Sequence, residues 1–222
     1  MPVRGKVKYI LFQEWSVYHI LRGEKNNTRR LMAPSPDNDP DLRGQDLLWA
    51  WSGLGNRYNA INRRNGRARF FYCPYGHPGH TLYVKEATYQ AGVWEAGADG
   101  ELKFRLTGEY VYAADTRRPT DVVPGVPTWR YSPAIFMPRR LARLRIHVID
   151  IKPQRLQDIT RDEAVAEGFT GDAFGVLDPI ALFRQTWDDL NPRAPWITNP
   201  WVWAIKFRAE PLTPAPSLVG DD

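Results

Sequence analysis

The chain reads as an α+β protein. Segments with strand patterning outnumber helical ones, the helices flank the strands instead of alternating with them, and nineteen prolines in 222 residues favour strands and loops over long helices. Val7 to Phe12 is a short strand, and Glu14 to Arg22 carries the apolar spacing of a helix. Ala33 to Pro40 is a Pro/Asp-rich loop at the start of an insertion around residues 34–72. Within that insertion Leu47-Leu48-Trp49-Ala50-Trp51 is apolar and Arg57 to Arg69 is strongly basic. Leu82 to Thr88 alternates Leu, Val and Ala with Tyr, Lys and Glu, the pattern of a half-buried strand. Gly97 to Gly100 is a turn, Leu102 to Ala113 supplies one or two hairpin strands, and a Pro-rich loop follows around 114–128. Leu144 to Ile151 is the clearest strand, with one step out of register at Val148-Ile149. Thr160-Arg-Asp-Glu163 is a capping box, and the short helix it opens ends at Gly168, a C′ glycine. Asp178-Pro179 opens a second helix as N-cap and N1, carrying Ile180, Phe183, Trp187 and Leu190 at helical spacing up to Asn191-Pro192. Trp201 to Phe207 is the last strand. Residues 1–208 are expected to form one domain with insertions, and 209–222 a disordered tail. No internal repeat is visible.

Composition narrows the class. A formal charge of +5 and a pI near 9.4 suit an anionic partner or a nucleotide-derived substrate. A single cysteine excludes an internal disulfide and fits a reducing compartment. No apolar run approaches the roughly 18 residues of a membrane span, and Met1-Pro-Val-Arg-Gly-Lys6 lacks the apolar stretch of a signal peptide. A cytoplasmic location with no membrane partner is the expectation. Oligomeric state is not legible.

The chemistry concentrates in Gly23-Glu-Lys25-Asn-Asn-Thr28-Arg29-Arg30, directly after the first helix. Gly23 lets the chain turn at a helix C-terminus. A continued helical turn places Lys25 and Thr28 on one face as i and i+3, whereas an extended chain points Thr28 and Arg30 the same way. Either geometry gathers an amine, a hydroxyl and a guanidinium around one point. Spacing alone is also compatible with a basic loop after a helix.

Gly-x-Lys-x-x-Thr-x-Arg, read as Gly23, Lys25, Thr28 and Arg30, resembles the signature of the ASCH domain family of the PUA-like superfamily. Cys73 to Ala87, Ser132 to Arg139, Leu156 to Gly168 and Asn199 to Phe207 resemble further segments of the longer ASCH proteins of bacteria and phages. The matches run in the family's order from about residue 8 to residue 208. The resemblance implies a PUA-like small β-barrel with flanking helices and loop insertions. It also implies hydrolysis of N4-acetylcytidine, with Lys25 as base, Thr28 as nucleophile and Glu167 as proton donor. A threonine hydroxyl needs such a base. Lysine serves only when neutral, which burial or neighbouring cations such as Arg29 and Arg30 promote. Arg30 then binds substrate oxygen or the developing oxyanion. The partner is a modified cytosine nucleoside or nucleotide, and no cofactor is expected.

Other residues carry weaker signals. Glu86, on a strand, either braces Lys25 or Arg30 or faces solvent. Trp129 and Arg139 lie in or beside matched segments, and the faces of Trp129 and Trp201 suit base stacking or core packing. Cys73, His77 and His80 form a partial ligand set without a fourth member, read as a turn with no metal. In the resembling proteins Gln and Asp typically fill these histidine positions. Arginines from Arg57 to Arg69 interleave with Tyr58, Phe70 and Phe71, which fits either a nucleic-acid surface or a solvated loop. The rival functions are an RNA- or nucleotide-binding module without catalysis, and a ribonuclease using the same lysine and glutamate.

Overall fold

The computed structural model describes residues 7–53, 55–96, 100–116, 128–171 and 177–212. In chain order these form β1 (Lys8–Leu11), α1 (Glu14–Leu21), β2 (Asn27–Leu31), β3 (Leu47–Trp51), β4 (Arg57–Asn62), β5 (Ala68–Tyr72) and β6 (Thr81–Lys85). There follow β7 (Thr88–Ala96), β8 (Leu102–Tyr112), β9 (Thr128–Ser132), β10 (Leu144–Arg155), α2 (Arg161–Ala166), α3 (Pro179–Leu190) and β11 (Trp201–Pro211). The fold is mixed α and β, mostly strands with few helices, and no closed barrel forms among the described residues. No described helix is long and apolar enough to cross a membrane.

The chain divides into two compact units: Met1–Leu21, Tyr83–Arg145 and Glu210–Asp222 in the first, Arg22–Leu82 and Ile146–Ala209 in the second. The first contains the antiparallel sheet β8-β7-β9, whose register slips between Gln90 and Gly92. In the second unit β10, β11 and β2 are successive neighbours, and β3-β4-β5 form a separate antiparallel sheet.

The register of β2 against β11 fixes the site. Thr28 lies opposite Ile205, Arg29 opposite Ala204 and Arg30 opposite Trp203. Alternate residues of a strand point to opposite faces. Arg29 therefore shares its face with Val202, which packs with Leu156, Ile159, Ala164, Phe183 and Trp187 under α2 and α3. Thr28 and Arg30 share the other face with Trp201 and Trp203, whose rings meet Trp49 at 5.3 Å and Tyr58 at 5.1 Å on the β3-β4-β5 sheet.

A six-residue helix such as α2 is unstable alone, and both its ends are fixed. The Thr160 hydroxyl accepts from the Glu163 N–H at 3.2 Å, while the Glu163 carboxylate accepts from the Thr160 N–H at 3.0 Å, the capping box read from sequence. At the other end the Phe169 N–H donates to the Ala164 carbonyl at 3.2 Å and the Gly168 N–H to the Val165 carbonyl at 2.8 Å, with Gly168 at φ +98°. This paired closure is a Schellman motif, and it makes Glu167 the C-cap. Phe169 packs against the adjacent apolar cluster.

Several boundaries differ from expectation. The insertion around 34–72 contributes a whole sheet. Leu102 to Tyr112 is one strand. β10 continues past Ile151 to Arg155, its burial changing phase at Ile149 and Asp150, beside the register step seen in sequence. β11 continues to Pro211, so Ala209 to Pro211 are strand and not tail. Asp178 precedes α3, but its carboxylate accepts from Arg161 at 3.0 Å, with no side-chain bond to the first turn. Residues 213–222 of the tail, residues 117–127 of the Pro-rich loop and residues 97–99 of the expected turn lie outside the described residues.

Gly168→Ala forces a side chain into a positive-φ C′ position and should destabilise the protein by about 1–2 kcal/mol, read from the midpoint of urea unfolding. An unchanged midpoint would mean that this cap does not hold the end of α2.

Candidate active site

Gly23 turns the chain after α1 with φ +74°, as expected of a helix end. Residue 26 is then clamped: the Asn26 N–H donates to the Ala166 carbonyl at 2.9 Å, and its carbonyl accepts from the Phe207 N–H at 2.8 Å. These bonds tie the motif to the end of α2 and to β11. From that position the Lys25 ammonium donates to the Glu167 carboxylate (Nζ to Oε2, 2.8 Å) and to the Glu167 carbonyl at 2.7 Å. Both residues are 3% exposed. The cation thus also satisfies a carbonyl at a helix C-terminus, where positive charge is favourable.

Arg29 occupies the other carboxylate oxygen. Its guanidinium donates to Glu167 Oε1 at 3.1 Å and to Glu163 Oε2 at 2.7 Å, and sits 5.8 Å from the centre of the Phe183 ring. Glu163 and Glu167 are i and i+4 on α2, a like-charge pair that would repel if left alone. Arg29 turns that repulsion into a fork.

Burial dominates the electrostatics. It pulls the Lys25 amine below its ordinary value, opposed by the charge and hydrogen bond of Glu167 and assisted by the positive charges of Arg30 and Arg29. Burial also lowers Arg30, with Tyr75 and Glu167 opposing, although a guanidinium keeps its proton at neutral pH. Lys25 and Arg29 pair with Glu167, and Arg29 also with Glu163. The positive charges of Arg29 and Arg30 near Lys25 favour an alkoxide or oxyanion forming nearby.

Lys25, Glu167, Thr28 and Arg30 all belong to the second unit. Thr28 is buried on β2, and the chain is extended from Asn27, which puts Thr28 and Arg30 on one face. Glu86, Trp129 and Arg139 belong to the first unit. Glu86 is buried, and its carboxylate accepts two bonds from Arg143, at 2.9 and 2.8 Å. Arg143 also pairs with Asp115 and covers the Tyr112 ring at 3.8 Å. Burial pushes the Glu86 carboxyl up, Arg143 opposes and Asp115 adds to the rise. Arg139 is exposed and donates to the Tyr83 hydroxyl at 3.0 Å, above whose ring it lies. Trp129 sits on β9 opposite Ala91, half-buried. The His77 ring stacks on Trp51 at 5.2 Å, and among the described residues no group of three or more His, Cys, Asp or Glu is placed to hold a metal.

Sequence reasoning gave Arg29 only a through-space effect on Lys25. The signal for its larger role was the i, i+4 spacing of Glu163 and Glu167, which calls for a cation between them.

Glu167→Ala leaves Lys25 buried without its carboxylate and should cost about 3–5 kcal/mol of stability. Lys25→Met should cost less, because Glu167 keeps Arg29. Urea unfolding of the two variants checks this order, and equal losses would count against it. Comparison with protein-family models, curated proteins and solved structures finds no match.

Proposed function

We propose that this chain is an ASCH-type protein of PUA-like fold that removes the acyl group from an N4-acylated cytosine nucleoside or nucleotide, with Lys25, Thr28 and Glu167 as its catalytic groups. The observation that carries this reading is the 2.8 Å contact from Lys25 Nζ to Glu167 Oε2, which joins two buried residues 142 positions apart. The ion pair holds the one proton that the chemistry needs. Its transfer from Nζ to Oε2 yields a neutral amine and a carboxylic acid, a base and an acid in contact. Desolvation favours that neutral form.

The reaction then runs in two halves. Lys25 takes the Thr28 hydroxyl proton as Thr28 Oγ1 bonds to the acyl carbon. The carbonyl oxygen becomes an oxyanion beside the positive charge of Arg30. On collapse the acyl carbon–N4 bond breaks, and N4 leaves with the proton of Glu167, giving cytidine and an acyl-threonine ester. Proton transfer from Lys25 to Glu167 then restores the neutral amine. Lys25 takes a proton from water as the water oxygen bonds to the ester carbon, and the ester bond to Thr28 Oγ1 breaks as that oxygen takes the proton of Glu167. The released carboxylic acid loses its proton to solvent, and the ion pair is restored.

Purified protein incubated with N4-acetylcytidine should convert it to cytidine, followed by absorbance. Lys25→Ala should lower the rate by at least ~10²-fold. The active pair shares one proton, so activity should fall on the alkaline side as that proton is lost. Because burial lowers Lys25 from its ordinary 10.5, this fall should come below pH 10.5. A folded wild type without conversion, or a fully active Lys25→Ala, would overturn the proposal.

A further inference from the structure

The β3-β4-β5 sheet has a second face that the proposed reaction does not use. Trp49, Tyr58 and Phe71 point inward: Trp49 meets both Phe71 and Trp201, and Tyr58 meets Trp203. The alternate positions therefore point outward. The register places Arg57 opposite Tyr72, and Asn59 between Ala50 and Phe70. No outward position on these three strands carries a carboxylate. Phe70 is 55% exposed and Tyr72 63% exposed, two residues apart on one strand.

Arg57 lies across this surface with its guanidinium 4.4 Å from the centre of the Phe70 ring. The nearby aspartates are engaged by other arginines: Asp39 by Arg69 at 2.8 Å, Asp41 by Arg67 and Asp46 by Arg63 at 3.3 Å. Among the described residues Arg57 has no carboxylate partner, and its Nε has no hydrogen bond. The face thus offers the exposed Tyr72 ring, the exposed Phe70 ring with a guanidinium against it, and a positive charge with no carboxylate partner among the described residues.

We propose that this face binds single-stranded nucleic acid, with bases stacking on Tyr72 and on the Phe70–Arg57 pair and backbone phosphate meeting Arg57. Unstacked bases present flat faces to such planes, and base pairs inside a duplex do not. An acidic peptide would satisfy the charge but leave the planes unused. The inference is independent of the amidohydrolase reading: binding here and hydrolysis at Lys25 are separate measurements.

Fluorescence anisotropy with labelled oligouridylate and oligothymidylate of about ten nucleotides tests it. The full chain should bind both in the micromolar range. Phe70→Ala and Tyr72→Ala should each weaken binding by roughly 5- to 100-fold while thermal unfolding stays unchanged. Phe70→Leu keeps apolar bulk and should weaken binding as well, because it lacks a plane. Arg57→Gln should flatten the dependence of log affinity on log salt by about 0.7. Absence of binding, equal binding of a duplex or of polyglutamate, or wild-type affinity in the two alanine variants would each overturn the proposal.

Discussion

Glu167 is the residue on which the second unit's charge arrangement depends. Each buried ion loses several kcal/mol of hydration, and that loss is offset only when the surrounding groups satisfy its hydrogen bonds. Lys25 gives to Oε2 and to the carbonyl, while Arg29 gives to Oε1. Without the carboxylate, two buried cations would face each other in a medium where their repulsion is strong. The position of Glu167 is in turn set by local backbone physics. The Thr160–Glu163 capping box starts α2, and Gly168, at positive φ, ends it with the glutamate as last cap. Six helical residues with two strong caps deliver one carboxylate to one amine.

The alternation of β2 separates two roles that lie side by side in sequence. Arg29 turns toward α2 and α3 and braces the two glutamates, while Thr28 and Arg30 turn toward the tryptophan-lined face. One strand thus supplies a scaffold cation on one side and the proposed nucleophile with its anion-binding partner on the other. Burial pulls the Lys25 amine below its ordinary value, and the Glu167 carboxylate lies 2.8 Å away, the contact that the proposed reaction uses.

What was legible in the sequence was mostly local. The capping box and C′ glycine of α2 and the apolar stripe of α3 depend on residues within a few positions of each other, whereas the extended course of β2 stood beside a helical alternative and Asp178 makes no side-chain cap bond. Lys25, Thr28 and Glu167 were named from a resemblance, and the pairing of Lys25 with Glu167 spans a separation that periodicity cannot reach. Non-local partners were the least legible. Nothing near Glu86 announces Arg143, 57 positions away. Nothing near Asp37 announces Arg155, which holds it at 2.6 Å across 118 positions. The basic segment from Arg57 to Arg69 looked like an inserted loop because its charges mask the strand alternation. The aspartate partners of Arg63, Arg67 and Arg69 lie before β3 in the chain, so the pairing that neutralises these three emerges only when the sheet forms.

The central claim is that Lys25 and Glu167 act as one coupled unit, and a double-mutant cycle on folding stability tests it most directly. Lys25→Met, Glu167→Gln and the double variant would be unfolded in urea beside the wild type. The account predicts that the single losses fail to add, with a coupling energy of about 1.5–3 kcal/mol, the range of a charged hydrogen bond that has lost its water. Additivity within about 0.5 kcal/mol would contradict it.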